Sequence, residues 1–533
     1  MKLMKINKIL LGIFAGASVF AVAACDKFLD TNPDNRTEID TAEKAVKLVA
    51  SAYSTHDYIC VATLSSDNLD DYSIQYTKTT RFRDEIWEWK DGVESNNESP
   101  ENIWGSNYEA ASSANHAIEA MENDLDWENN ETLRQAMGEA LICRAYAHFI
   151  NANIFCMAYT SQYADKDLGI PYATEPEKEF NPKYERGTLA ETYDMIKADI
   201  EKGLPLIGDD NLVVPKYHFN RQAAYAFATR FYLYHEEWAK AIECANKCLG
   251  ANPEAVLRDY DIFGTMPSTA NLRATQYVSS NEPANLLLMT AYSTHYAIWL
   301  NYTTQTKFNH GNYLATTETL KATQIFGSGT SPYSGKDSPH TFSGSFDRVM
   351  FYRVPYLFQY TNAVAGTGYS RTIYPAFTTD ECLLNRAEAK IYLGDYEGAA
   401  EDLNIFIHNF TNCEDNFTPE QIKGFYDTVS YAEWNSGTVK KRFNSTLDTG
   451  EEGSIKESML QLVVNLRRLE NMGFGLRWFD IKRYGITIYR RVMNMAGSPD
   501  HFIDVMQARD PRQAIQIPVK VRTAGLEANP RNK

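Results

Sequence analysis

The sequence predicts a mainly α fold, a repetitive helical scaffold that carries one large, irregular, loop-rich insertion and few short strands. Three observations lead there. Residues 223–249 and 381–407 repeat one another as helix, tight turn and helix. Residues 100–125 and 131–157 are alanine-rich with helical periodicity. Residues 265–375 abandon that periodicity for Thr, Ser, Gly, Asn and Tyr. With 44% hydrophobic and 23% charged residues in 533, the chain is globular rather than mainly disordered.

In chain order, Lys2, Lys5 and Lys8 precede an apolar run over 9–24, the pattern of a secretory signal peptide over residues 1–24. The run is shorter than the ~20 residues a membrane-spanning helix needs. It ends Val22-Ala23-Ala24-Cys25, which resembles a bacterial lipobox. That resemblance implies cleavage before Cys25 and lipidation there, each buried acyl CH₂ adding ~0.8 kcal/mol of anchoring. The polar, Pro33-containing stretch up to residue 40 reads as a tether, so that residues 25–40 link lipid to domain. One helical domain then fills 41–533, its first helix capped by Thr41.

The two repeats align with Trp238 over Tyr396, Leu233 over Ile391 and Ala241 over Ala399. The turn Leu393-Gly394-Asp395-Tyr396 resembles that of a tetratricopeptide repeat. Small alanines let paired helices approach, and the aromatic at the turn seals their end. Residues 188–207 form another helix, closed by Pro205 and Gly208. Residues 454–470 carry Met459, Leu462, Val463, Leu466 and Leu469 as an amphipathic stripe. Within the insertion, 284–292 is a short buried strand and 326–346 is loop by composition. Long loops in a helical body are places for function.

Charge and chemistry narrow the function. The formal net charge of −17, or −20 without the three leader lysines, excludes a general nucleic-acid binder. There is no HExxH and no GxSxG. The histidines show no metal-ligand spacing, and His148 and His235 read as satisfied helix residues. Asp67, Asp70 and Asp71 have calcium-ligand chemistry but lack the 12-residue loop pattern, so they read as a solvated acidic turn. No metal or cofactor is expected. Seven cysteines remain beyond Cys25, an odd number that cannot pair completely, and they read as buried free thiols.

Binding chemistry is better represented. Aromatic rings cover the C–H faces of sugars while amides, carboxylates and guanidinium groups bond the hydroxyls. Trp87 and Trp89 lie two apart, which on a strand makes one platform. Tyr296, Trp299 and Tyr302 cluster in the insertion beside Asn301 and Gln305. These five aromatics and Asn301 are the expected ligand site. Trp104, Trp238 and Trp478 are assigned to packing.

Nearly the whole mature chain resembles the SusD/RagB family of Bacteroidetes outer-membrane lipoproteins. The resemblance rests on the lipobox followed by Asp26-Lys27-Phe28-Leu29-Asp30, and on Trp104, Tyr108 and Asn115 in one helix. It continues through the turn at 169–176 and the two repeats, and ends in the stretch from Leu466 to Gly485. There Arg467, Arg468, Glu470, Gly475, Arg477, Trp478 and Asp480 match the family motif within a C-terminal portion, 376–533. Leu466 stands where the family has Glu, and Gly473-Phe474 where it has Phe-Glu.

The resemblance implies a non-catalytic, lipid-anchored, surface-exposed outer-membrane protein. Such a protein binds nutrient oligomers, glycans before peptides, and delivers them to a SusC-like TonB-dependent transporter. It also implies that 265–375 is ligand-side and that the C-terminal motif holds the last helices through buried ion pairs. A surface-anchored glycoside hydrolase or peptidase, and a repeat scaffold binding only proteins, remain the alternatives.

Overall fold

A computed structural model describes residues 39–178, 182–210, 212–267, 269–299, 306–327, 336–337, 339–341 and 347–531. The leader, Cys25 and most of the tether lie outside these. Helices of seven residues or more are α1 (Ala42–Val49), α2 (Ile59–Ser65), α3 (Arg81–Trp87), α4 (Pro100–Asp124), α5 (Glu131–Phe155), α6 (Leu189–Gly203) and α7 (Arg221–Tyr234). They continue with α8 (Trp238–Leu249), α9 (Ala270–Tyr277), α10 (Thr379–Tyr392), α11 (Tyr396–Phe410), α12 (Pro419–Thr428), α13 (Ile455–Glu470) and α14 (Arg477–Tyr484). None of the described helices is long and apolar enough to cross a membrane.

Local chemistry sets most helix starts. Thr41, Thr80, Ser99, Asn130, Asn220, Thr378 and Ser454 each accept a hydrogen bond from a backbone N–H in the first turn. Thr188 with Glu191, and Thr418 with Gln421, close full capping boxes. The first helix stops at Val49, earlier than the periodicity of its sequence suggests.

The repeats fold as α7–α8 and α10–α11 and stack on each other. Trp238, at the start of α8, lies flat on Tyr392 at the end of α10, with centroids 4.1 Å apart and planes 10° apart. Beneath them the buried Arg230 guanidinium donates to Glu381 at 2.7 Å, joining α7 to α10. The earlier pair α4–α5 is fastened differently. Tyr108 donates to the Pro171 carbonyl at 2.6 Å and Asn115 to that of Ala173 at 3.0 Å, so α4 grips the turn at 169–176. Arg144 of α5 completes the grip through Asn115 and Asp199.

The C-terminal motif is a buried ion network. Arg467 makes a two-pronged contact with Asp480 at 3.0 and 2.7 Å and a second pair with Glu388 on α10 at 2.5 Å. Arg468 and Arg477 converge on Asp67, Arg477 at 2.9 Å to both oxygens. Glu470 accepts from the hydroxyls of Tyr260 and Tyr277. Trp478 is fully buried and Trp104 nearly so, against Tyr108 and Phe155. The network ties helices distant in sequence to the N-terminal acidic turn.

That turn is therefore not solvated. Asp70 and Asp71 are buried, Asp70 is paired with Arg491 at 2.9 Å, and Lys307 approaches Asp71 at 3.6 Å. Burial alone would push the Asp67 carboxyl up, but Arg468 and Arg477 outweigh it and hold it well below the usual range. Asp67 and Asp70 are counter-ions to arginines, and Asp71 to Lys307. No group of three or more potential metal ligands occurs among the described residues.

Among the described residues, three small sheets complete the structure. Strands β1 (Asp70–Asp71), β3 (Phe308–Asn309), β8 (Ile488–Met493) and β9 (Pro499–Met506) align in the order β3-β1-β8-β9. Strands β2 (Asn285–Tyr292), β6 (Leu357–Asn362) and β7 (Thr367–Thr378) align as β2-β7-β6. Strands β4 (His340–Thr341) and β5 (Val349–Met350) pair alone. The predicted strand at 284–292 is thus β2. The insertion is more regular than its composition suggests, because β7 runs for 12 residues. Its Thr-, Tyr- and Ser-rich sequence reads as loop but suits a half-exposed strand equally well. The seven described cysteines are free, and all but the half-buried Cys413 are buried.

Candidate ligand-binding site

The β2-β7-β6 sheet brings the insertion's tyrosines to its open end. Register places Tyr292 opposite Arg371 and Tyr369 opposite Gln359. Tyr292 and Tyr369 meet edge to face at 5.5 Å, and the Arg371 guanidinium lies 4.0 Å from the Tyr292 centroid. Arg371 also donates to the Gln359 side-chain oxygen. Tyr296 and Tyr356 form a second pair at 4.3 Å. Tyr369 is 53% exposed and Tyr356 40%, while Tyr292 and Tyr296 are half-buried. These are rings with one face packed and an edge or hydroxyl left for a ligand.

A rigid polar floor supports them. Glu98 accepts from the Thr294 backbone N–H, from the Thr294 hydroxyl and from Ser293, pinning the chain where β2 ends. The next residue, His295, is buried and donates through Nε2 to the Gly473 carbonyl at 2.8 Å, with burial pulling its pKa down to about 3. Asp57 lies beside Glu98. Its burial, and then the Glu98 charge, push its pKa up to about 7. Tyr296 therefore leaves a fixed anchor, the kind of support a recognition residue needs.

Of the expected site residues, Tyr296 is here, half-exposed. The side chain of Trp299, and all of Asn301 and Tyr302, lie outside the described residues. Trp87 and Trp89 require a correction, since both are buried. Thr80 starts α3, so Trp87 sits at a helix end rather than on a strand, and Trp89 follows in a left-handed conformation with φ 54°. Trp87 stacks on Phe308 at 4.6 Å and donates to the Leu69 carbonyl, and Trp89 donates to that of Ser65. Arg490 lies 3.8 Å from the Trp89 ring and 4.9 Å from that of Trp87. Spacing by two shows a shared face only where a strand exists, and the Thr80 cap prevents one.

Sequence reasoning missed Tyr292, Tyr356, Tyr369 and Arg371, because the strand pairing that unites them spans some 80 residues. It also missed a cleft of about 430 Å³ along α4, where Trp104 and Tyr108 meet Tyr184, Val521 and Leu526. Glu109, Glu175 and Glu177 also line the cleft, so carboxylates stand beside its aromatic faces. Both places offer flat apolar faces with polar edges.

A family model described as starch-binding and associating with the outer membrane, SusD-like, matches residues 27–233. A second, for the SusD family, matches 295–523. Among solved structures, a SusD superfamily protein from Bacteroides thetaiotaomicron aligns with a TM-score of 0.61 at 18% identity, covering 93% of this chain and 100% of its own. A SusD-like carbohydrate-binding protein from Bacteroides vulgatus gives 0.61 at 14%, covering 91% and 97%. A SusD superfamily protein from the same organism gives 0.60 at 18%, covering 93% and 100%. At these identities the structures speak for the fold. No curated protein sequence matches this chain.

Proposed function

Because this chain belongs to the SusD family, we propose that it is a non-catalytic surface lipoprotein that captures neutral glycans and hands them to a TonB-dependent transporter of the SusC type. The observation that carries the glycan reading is the exposed tyrosine cluster of the β2-β7-β6 sheet, with Arg371 and Gln359 among the rings. Pyranose C–H faces pack on such rings, and the guanidinium and amide bond the hydroxyls, with no proton transfer required. The carbohydrate-binding neighbour of the same fold supports this reading. Lipidation at Cys25, with 26–40 as tether, gives the chain its attachment, and the acidic surface adds none to an anionic membrane.

The test uses the full lipidated chain in detergent micelles on a glycan array, followed by calorimetry with the strongest-bound glycan. Tyr296→Ala with Tyr356→Ala lowers affinity about tenfold, a change of ~1.4 kcal/mol, at an unchanged melting temperature. Unchanged affinity would overturn the site. The transport role is tested by gentle solubilisation of source outer membranes and mass spectrometry. A transporter barrel recovered in near-equal amount is the expected result, and a freestanding chain would remove that role.

A further inference from the structure

The other large sheet carries an aromatic surface that the proposed site does not use. On β8, Tyr489 and Arg491 are two residues apart and share a face, and Arg491 pairs with Phe502 on β9. Phe502 is 40% exposed and meets Tyr489 at 5.3 Å and Trp434 at 5.6 Å. Trp434 is half-buried on a tight turn closed by the Glu433 N–H donating to the Ser436 carbonyl at 2.9 Å. Three rings thus stand on ordered backbone at the protein's edge, unlike the buried Trp87 and Trp89.

Beside them opens a recess of about 90 Å³, lined by Tyr489, Asp70, Glu318, Lys441 and Arg491 among others. Its buried charges are mutually matched, and the exposed Glu433 also lines it. Arg491 contacts Asp70 at 2.9 Å and Glu318 at 2.6 Å, and Lys441 contacts the other Glu318 oxygen at 2.6 Å. A charged ligand gains little where each cation already has its anion. A hydroxyl, which both donates and accepts, can join such a matched set without bringing a charge of its own.

We propose that the Trp434–Tyr489–Phe502 surface and the recess beside it form a second glycan-binding site, which seats one neutral pyranose with a hydroxyl or hydroxymethyl group directed into the recess. The proposal rests on the reading that this chain binds glycans. Two sites on one chain raise the affinity for a polymer above that of either alone.

The experiment is calorimetry on the full chain in detergent, with the strongest array-bound glycan as a short oligosaccharide and as its polymer. The wild type takes up two short oligosaccharides. Trp434→Ala with Phe502→Ala takes up one and binds the polymer about tenfold more weakly, at a melting temperature near that of wild type. Should that pair unfold, Phe502→Asn alone, at an exposed position, is expected to weaken polymer binding severalfold. A wild-type stoichiometry of one, lost in Tyr296→Ala/Tyr356→Ala and untouched by the Phe502 variants, overturns this second site and leaves the first. Binding lost only in the Trp434 and Phe502 variants keeps it and overturns the first. No binding to any arrayed glycan overturns both.

Discussion

Trp87 and Trp89 share Arg490 inside the body, whereas Tyr292, Tyr296, Tyr356 and Tyr369 gather near Arg371 at an open sheet end. Both are aromatic groups with an arginine, and only their surroundings differ. Arg490 donates to the carbonyls of Leu64, Ser65 and Ser66, the negative end of α2, so its charge is used within the core. Among the described residues Arg371 has one side-chain hydrogen-bond acceptor, Gln359, besides the Tyr292 ring, and it remains half-exposed. A buried guanidinium whose terminal nitrogens are spent on backbone carbonyls marks a structural cluster. One with donors to spare marks a surface on which a ligand can compete.

Changes to the buried members should break this contrast most strongly. Trp87→Ala removes a fully buried ring and its hydrogen bond, and should cost ~3–5 kcal/mol in denaturant unfolding. A loss of ligand affinity at unchanged stability would instead return Trp87 to the binding surface. Asp480→Ala leaves Arg467 without its two-pronged partner in the core, and should cost about 3–5 kcal/mol. A cost below ~1 kcal/mol would show that Glu388 alone compensates.

The floor under the tyrosines is sharpened by pH. Asp57 rises from 3.8 in the unfolded chain to about 7 in the folded one. Between those values the folded state holds a proton that the unfolded state has released, so stability falls as pH rises from about 4 to about 7 and then levels. The contribution is up to about 4 kcal/mol. Asp57→Asn keeps the acceptor for the Ile59 N–H and should flatten this slope relative to wild type. Parallel wild-type and variant pH profiles would reject the raised carboxyl.

The smallest expected effect concerns the exposed members. Tyr369→Ala should leave stability within ~0.5 kcal/mol and weaken glycan binding by ~1 kcal/mol. A large fall in melting temperature would show that the ring holds the hairpin instead.

The helices were legible because their signals are local. Thr41, Thr188 and Ser454 cap within three residues, and the alanine and leucine stripes repeat within a turn or two. The repeat alignment of Trp238 with Tyr396 placed both residues at the start of a second helix, as observed. The insertion was harder, since β7 is as polar as a loop and becomes a strand only when β2 and β6 flank it. The acidic turn failed for the same reason. Nothing near Asp67 in sequence announces Arg468 and Arg477, some 400 residues away.

The sequence by itself determined the helical scaffold, the two stacked repeats, the family motif and the tyrosine-rich insertion, because caps, periodicity and spacing act over a few residues. Only the tertiary structure decided which aromatics are buried and which face water. That choice depends on long-range partners: Arg490 against Trp89, Glu98 beneath Thr294, and Arg371 across the sheet from Tyr292. An indole or phenol is equally able to fill a core or hold a ligand, and the groups packed on its other face settle which it does.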